Sequence, residues 1–370
     1  MGMKVKEEKQ RGNEATRHGG LRHRSHRETA LLFVLFAATS PAFAVDIRAV
    51  DWVGKSTAGQ WAGLSNSNSI DIQTTDGLVS KPIDDLANLD FPTDIRAPFG
   101  PVAFFLHDGG MMFGELIAGQ PDAVEARTAI GKVTIGWNKL AAIRLAEPTQ
   151  FKRANELFDD SIRIRSPSQD ALISRDHADI KVLQGRLESL TESGGSFLFA
   201  GESRKFQNEK LFGIVFAAGA AKPAPAQVML ELTDGSSFSG TLKSADANAL
   251  RVEPSFGAAA EIPVTNIRRL KFRSDRVQYV SDLKPTTQRV EGVLHAPWPV
   301  RADRNVLGNP LSIGGRKFER GVGVHSRTEL SYPIAGEFER FAATIGIDDA
   351  VRPLESVVMQ VVGDGRTLYD

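Results

Sequence analysis

The chain contains no cysteine. That single absence excludes disulfide scaffolds, thiolate zinc centres and cysteine nucleophiles together. An excess of charge is missing too, since 45 Lys and Arg stand against 45 Asp and Glu in 370 residues. A dedicated nucleic-acid binder carries a basic footprint, so no nucleic-acid partner is expected. No apolar run reaches the roughly 20 residues of a membrane-spanning helix. Neither a His-Glu-x-x-His metal motif nor a nucleophile elbow occurs. What is present is an ordinary globular composition, 41% hydrophobic and 24% charged. The length suits two or three domains at roughly 100–200 residues each. Thirty-four Gly and 18 Pro between short apolar runs indicate many turns, which favours β structure.

The first 44 residues read as an address. Eight basic side chains lie in residues 1–29, followed by the apolar run Ala30 to Ala38 and then Ser40-Pro41-Ala42-Phe43-Ala44. A basic region, a short apolar core and an A-x-A site form an export signal cleaved after Ala44. The alternative is a single membrane anchor, for which the run is short. Cleavage would leave 37 basic against 41 acidic residues. The mature protein is then expected without a membrane span, in the periplasm or outside the cell.

Residues 45–275 carry an internal repeat. Three segments place an Asp six positions before a Gly and eight before a Leu: Asp108/Gly114/Leu116, Asp179/Gly185/Leu187 and Asp234/Gly240/Leu242. Each closes about 35 residues later on an alternating strand, at Ile143/Leu145, Ile214/Phe216 and Leu270/Phe272. A weaker copy spans residues 47–91 and closes on Leu86 to Phe91. Alternation such as Val228-Leu230-Leu232 buries one strand face, and Asp-Gly provides the positive φ of a two-residue hairpin turn. The Gly inside the next strand predicts a bulge or sharp bend. Four or five short strands in about 45 residues close most naturally into a small barrel, and the rhythm resembles SH3-like or Sm-like barrels. Two such repeats are expected over 45–147, a linker with a short helix over 148–169, and a third repeat over 170–216. An Ala/Pro linker over 217–226 then leads to a fourth repeat over 227–275.

Several motifs in this region point to chemistry without the context to support it. Gly54-Lys55-Ser56-Thr57 ends like a phosphate-binding loop, but Ala49 stands where its first Gly belongs, and Gly59 and Gly63 spoil the following helix. His107-Asp108 and Asp176-His177 pair an acid with a base at turns, where both residue types are common for conformational reasons. Asp84-Asp85 and Asp159-Asp160 read as solvent-facing. Trp52, Trp61 and Trp137 read as core plugs or half-exposed residues, with a sugar platform as the alternative.

From Arg276 the texture changes. Trp298-Pro299 leads into Arg301 to Asn305, then Leu307-Gly308-Asn309-Pro310, Gly321-Val322-Gly323-Val324-His325-Ser326, Phe338 to Asp349, and Val357 to Gly365. This series resembles the NPCBM family, a carbohydrate-binding module found beside glycoside hydrolase catalytic domains. Beside repeated small barrels it is similar to secreted proteins of planctomycete-type bacteria. The resemblance implies a galactose-binding-like jelly-roll β-sandwich over 276–370, and carbohydrate, with a galactose-like sugar among the candidates, as partner. The residues themselves read as strands. Phe338, Phe341, Ala343 and Ile345 alternate towards a core, Val357, Met359 and Val361 form a second inward row, and Asp364-Gly365 forms a hairpin turn. Family members continue beyond the pattern present at Asp370. A truncated sandwich with exposed apolar faces, in a fragment of a longer product, is therefore expected.

The fold class is thus all-β: tandem small SH3-like barrels followed by a truncated jelly-roll sandwich. Sugar sites combine an aromatic face with planar hydrogen-bonding groups. Trp298, Arg304, Asn305 and His325 are the residues of those types, His325 having a structural role as its alternative. Asp348 and Asp349 could supply oxygens to Ca2+, or simply form a turn. The favoured function is an exported, non-catalytic carbohydrate-binding protein. Alternatives are the N-terminal fragment of a glycoside hydrolase with its catalytic domain beyond residue 370, and an envelope scaffold whose barrels bind envelope proteins. Paired carboxylates at glycosidase spacing would mark the former, and this sequence shows none.

Overall fold

The computed structural model describes residues 45–369 apart from 67, 121, 176–179, 220–226, 292–297, 335, 337 and 352–356. The expected export signal, the Asp176-His177 pair, Asp179 and most of the Ala/Pro linker lie outside the described residues. The architecture is all-β, with one α-helix among the described residues. No helix there is long and apolar enough to cross a membrane.

One element order occurs four times: four strands, a single 3-10 turn, and a closing strand. In the first unit the strands are Asp46–Asp51, Ser56–Asn66, Ser69–Thr74, Gly77–Pro82 and Leu86–Asp90, with the turn at Ile83–Asp85. The same order runs from Val102 to Arg144, from Asp170 to Val215 and from Val228 to Phe272. In every unit the first strand pairs antiparallel with both the second and the closing strand, so the sheet curls on itself.

The repeated glycine is what permits the curl. A Cβ on Gly114, Gly185 or Gly240 would lie 2.6, 2.2 or 2.8 Å from a carbonyl oxygen of the facing strand. Backbone cannot swing aside as a side chain can, so only Gly fits these close approaches. Gly59 plays the same part in the first unit, 2.6 Å from the carbonyl of Gln73. Two residues on, each second strand slips register, at Trp61/Gly63, Leu116/Ala118, Leu187/Ser189 and Leu242/Ser244. The extra residue bends the strand over the core. The Asp-Gly hairpins differ from the two-residue turns expected. At Asp108-Gly109 and Asp234-Gly235 only the Gly has positive φ, +87° and +84°. These are three-residue loops with a left-handed Gly, and the Asp caps the loop by accepting the N–H of Gly110 or Ser236.

Closing strands join the units in pairs. Leu86–Asp90 of the first unit lies antiparallel to Ile267–Phe272 of the fourth, with Leu89 opposite Leu270. Leu140–Arg144 of the second lies against Leu211–Val215 of the third, with Ile143 opposite Ile214. All four central residues are fully buried. The second and fourth units meet where Met111 faces Ser237, where Ser236 Oγ accepts the Phe113 N–H, and where Ser255 donates to Asp108 at 2.7 Å. A helix, Lys152–Arg163, covers the outer face of the second-to-third junction. Its Ala154 and Phe158, one turn apart, pack with Ala142, Ala171, Phe212 and Val215. The first-to-fourth junction is polar instead: Asp90 sits between Arg48 and Arg269, and Lys271 pairs with Glu231.

Residues 276–370 form four two-stranded ribbons among the described residues. Thr287–Val290 pairs with Thr328–Ser331, Arg301–Ala302 with Val322–Gly323, Leu311–Ile313 with Arg316–Phe318, and Val361–Gly363 with Arg366–Tyr369. Asp364 and Gly365 both have positive φ, as a two-residue turn requires. The inward rows expected at 338–345 and 357–361 are not formed. Phe338, Phe341, Ile345 and Val357 are exposed, and residues 338–348 contain no strand. Alternation marks a segment able to pair, but a strand exists only where a neighbour supplies the ladder, and here none of the described residues does.

Candidate functional site

The residues expected to touch ligand lie on two loops that a network of hydrogen bonds and ion pairs holds together. Asp303, at φ +56°, accepts the Gly321 N–H and donates its own N–H to the Gly321 carbonyl. Arg320 reaches Asp303 at 2.7 Å, pairs with Asp282, and lies over the Tyr279 ring at 4.8 Å. Burial works to raise the Asp303 carboxyl, but Ser281, the Gly321 N–H and Arg320 outweigh it and hold the group below the usual carboxylate range. Burial pushes the Tyr279 phenol up. Lys271 of the fourth unit pairs with Glu319, one residue before Arg320. The loops are thereby tied to the four-unit body.

Gly323 sets how closely the loops approach. A Cβ there would sit 2.1 Å from the Arg304 carbonyl and 2.7 Å from Asn305 Cα. Beyond this contact the chain reaches His325, whose ring stacks on Trp298 with centroids 5.7 Å apart and planes 5° from parallel. At that separation parallel rings are offset and form a stepped aromatic surface. Trp298 is 39% exposed and His325 half-buried. Ser326 Oγ lies 3.1 Å from His325 Nδ1, and no hydrogen bond among the described residues reaches Nε2.

The four expected contact residues divide accordingly. Trp298 and His325 form one surface, and Arg304, whose carbonyl backs Gly323 two residues before His325, is exposed with no ion pair among the described residues. Asn305 is buried, and both ends of its amide are engaged. Its oxygen accepts the N–H groups of Leu307 and Asn309, and its nitrogen donates to Asp348 at 3.0 Å. It folds the loop that carries Arg304.

Asp348 and Asp349 face donors. Asp348 accepts from Asn305, the Ser312 N–H and the Ala350 N–H. Asp349 accepts the Ser312 hydroxyl and the successive N–H groups of Gly314 and Gly315, at 2.7 and 2.8 Å. The Ser312 bond and these amides hold its carboxyl below the ordinary range. Both carboxylates thus act as internal anions bracing the Leu311–Phe318 hairpin, each accepting three N–H or O–H bonds. Among the described residues no three His, Asp or Glu gather as metal ligands.

Elsewhere the motifs resolve into structure. Gly54 to Thr57 crosses a hairpin in which Asp51 accepts the N–H groups of Val53 and Lys55. His107 lies 2.9 Å from Arg165, and burial, with that guanidinium, lowers its pKa. Trp61 is buried, while Trp52 and Trp137 are half-buried and donate to the carbonyls of Asp84 and Gln120. Arg320 and Gly323, which position the loops, were not singled out by sequence reasoning. Only the Gly-x-Gly spacing hinted at the second.

Residues 276–370 match the family model of the NPCBM/NEW2 domain. A curated relative from Renibacterium salmoninarum, named as an endo-alpha-N-acetylgalactosaminidase, is 37% identical over 62 residues. That stretch covers 17% of this chain and 4% of the relative. No solved structure matches the chain.

Proposed function

Starting from the NPCBM/NEW2 domain at residues 276–370, we propose that the protein is exported and binds carbohydrate there without catalysing its cleavage. The observation that carries this reading is the Trp298–His325 stack, a partly exposed pair of parallel rings with polar edges. Such a surface receives the C–H face of a sugar ring while neighbouring groups bond its hydroxyls. The name of the glycosidase relative supports a saccharide as the ligand class. A binding role fits the nearby carboxylates. Asp303, Asp348 and Asp349 are each engaged in holding loops, whereas glycosidic cleavage needs two carboxyls facing the bond. The basic stretch, apolar run and Ala42-Phe43-Ala44 of the N-terminus support export.

The test is a saccharide panel titrated against the full chain, with product analysis after long incubation. Binding without released sugar is expected, weakened about tenfold by Trp298→Ala and unchanged by a chelator. Retention of no saccharide would overturn the binding reading, and released sugar would overturn the non-catalytic one.

A further inference from the structure

Two exposed arginines lie close in the backbone to the strand that leads to His325, and the neighbouring aspartates are already engaged. Arg301 lies directly opposite Gly323 across the ribbon, and the Arg304 carbonyl touches the same glycine. Both arginines therefore adjoin Gly323, two residues before His325, Arg301 on the paired strand and Arg304 next to the loop that Asn305 folds. Arg301 donates through Nε to the Val306 carbonyl at 3.1 Å, and neither guanidinium has an ion-pair partner among the described residues. Asp303 belongs to Arg320, Asp348 to Asn305 and backbone amides, and Asp349 to the Gly314-Gly315 turn. Asp303, Asp348 and Asp349 thus have partners of their own, and two forked cations near the strand that leads to His325 have no acid among the described residues.

From this we infer that the ligand is an acidic saccharide, one whose ring rests on Trp298 and His325 while a carboxylate or sulfate group is held by Arg304, with Arg301 reinforcing the field. This rests on the carbohydrate reading above and narrows it. A neutral sugar uses the stack alone. An anionic one adds charge-assisted, two-pronged bonds for which the guanidinium plane is shaped. Because both arginines are exposed, their attraction is screened by salt, whereas stacking is not.

The experiment titrates the full chain with galactose, galacturonate oligosaccharide and galactose 6-sulfate, at low salt and at about 0.5 M salt, where the Debye length is only a few ångströms. An acidic probe is expected to bind about tenfold more tightly than galactose at low salt, and the advantage shrinks at high salt. Arg304→Gln removes that advantage and leaves galactose binding in place, while Arg304→Lys keeps part of it. The uronate and sulfate arms tell which anion the site prefers, and preference for either supports the proposal. Equal affinity for all three probes, still lost in Trp298→Ala, overturns the acidic ligand but leaves the carbohydrate site standing. Failure of every probe overturns both.

Discussion

Replacing Gly323 by Ala tests whether the aromatic surface is built by the approach of two loops. The new methyl carbon would lie 2.1 Å from the Arg304 carbonyl oxygen, more than an ångström inside ordinary contact. Asn305 Cα, at 2.7 Å, blocks the other direction. Neither obstacle is a side chain that can rotate away, so the Val322–Gly323 strand must withdraw from Arg304–Asn305. His325 then moves off Trp298. Gly323 does not have positive φ, so the cost is steric and carries no backbone-strain term. Overpacking of this kind costs about 1–3 kcal/mol. If only the assembled surface binds, that cost appears as a Kd raised about 5- to 150-fold. Calorimetric titration of the full chain with its best saccharide measures it. Gly336→Ala, whose methyl meets open space, is the matched control. An unchanged Kd in Gly323→Ala would refute the two-loop construction of the site.

Two further outcomes follow from the four-unit body. Phe158→Ala removes a fully buried ring that meets Phe105 and Phe212 edge-on at 5.5 Å and covers Gly213. Chemical denaturation should show a loss of about 3–5 kcal/mol, with saccharide binding at 276–370 preserved. Asp90 is held below the ordinary carboxylate range: burial works to raise it, but Arg269 and Arg48 prevail. A depressed carboxyl contributes stability that is whole above its unfolded value, about 3.9, and is lost as pH falls through the folded value. Thermal melts should therefore show wild type losing its advantage over Asp90→Asn as pH drops below about 4; a constant gap down to strong acid would contradict the ion-pair account.

The repeat was legible because its marker is steric. Gly114, Gly185 and Gly240 stand where a facing carbonyl leaves no room for Cβ, so the same letter returns at the same offset. The first copy was fainter because Trp61 replaces the Leu and no Asp lies six residues before Gly59. Which units pair was not read. The closing strands differ on their outer faces, polar in Leu86–Asp90 and Ile267–Phe272 but apolar in Leu140–Arg144 and Leu211–Val215, a signal that sequence reasoning passed over. The turn chemistry was half read: Asp-Gly located the hairpins, but the Asp acts as a side-chain cap while only the Gly is left-handed. At the site, Trp298, His325 and Arg304 were named by type, whereas the stack needs a backbone approach at Gly323 too close for any Cβ, which no spacing rule encodes. Asn305 was read as a ligand contact because a planar amide serves a sugar and a loop equally well. Its burial decides for the loop.

The pairing of first with fourth and second with third nests one junction inside the other, which favours an order of assembly in a chain that emerges from its N-terminus. Asp90 and its partner Arg269 are 179 residues apart. At about 5–20 residues per second, the first unit waits about 10–35 s for the strand that completes its edge. The second and third units emerge and join within that interval. Closing the outer junction last means the long loop it spans is already compact, so its entropic cost is smaller than for free chain. The interval also leaves Leu86–Asp90 as an unsatisfied strand edge, open to pairing with a neighbouring nascent chain. The polar outer face there, with Arg48, Asp90 and Asn88, makes such a mispairing less adhesive than it would be at the helix-covered junction.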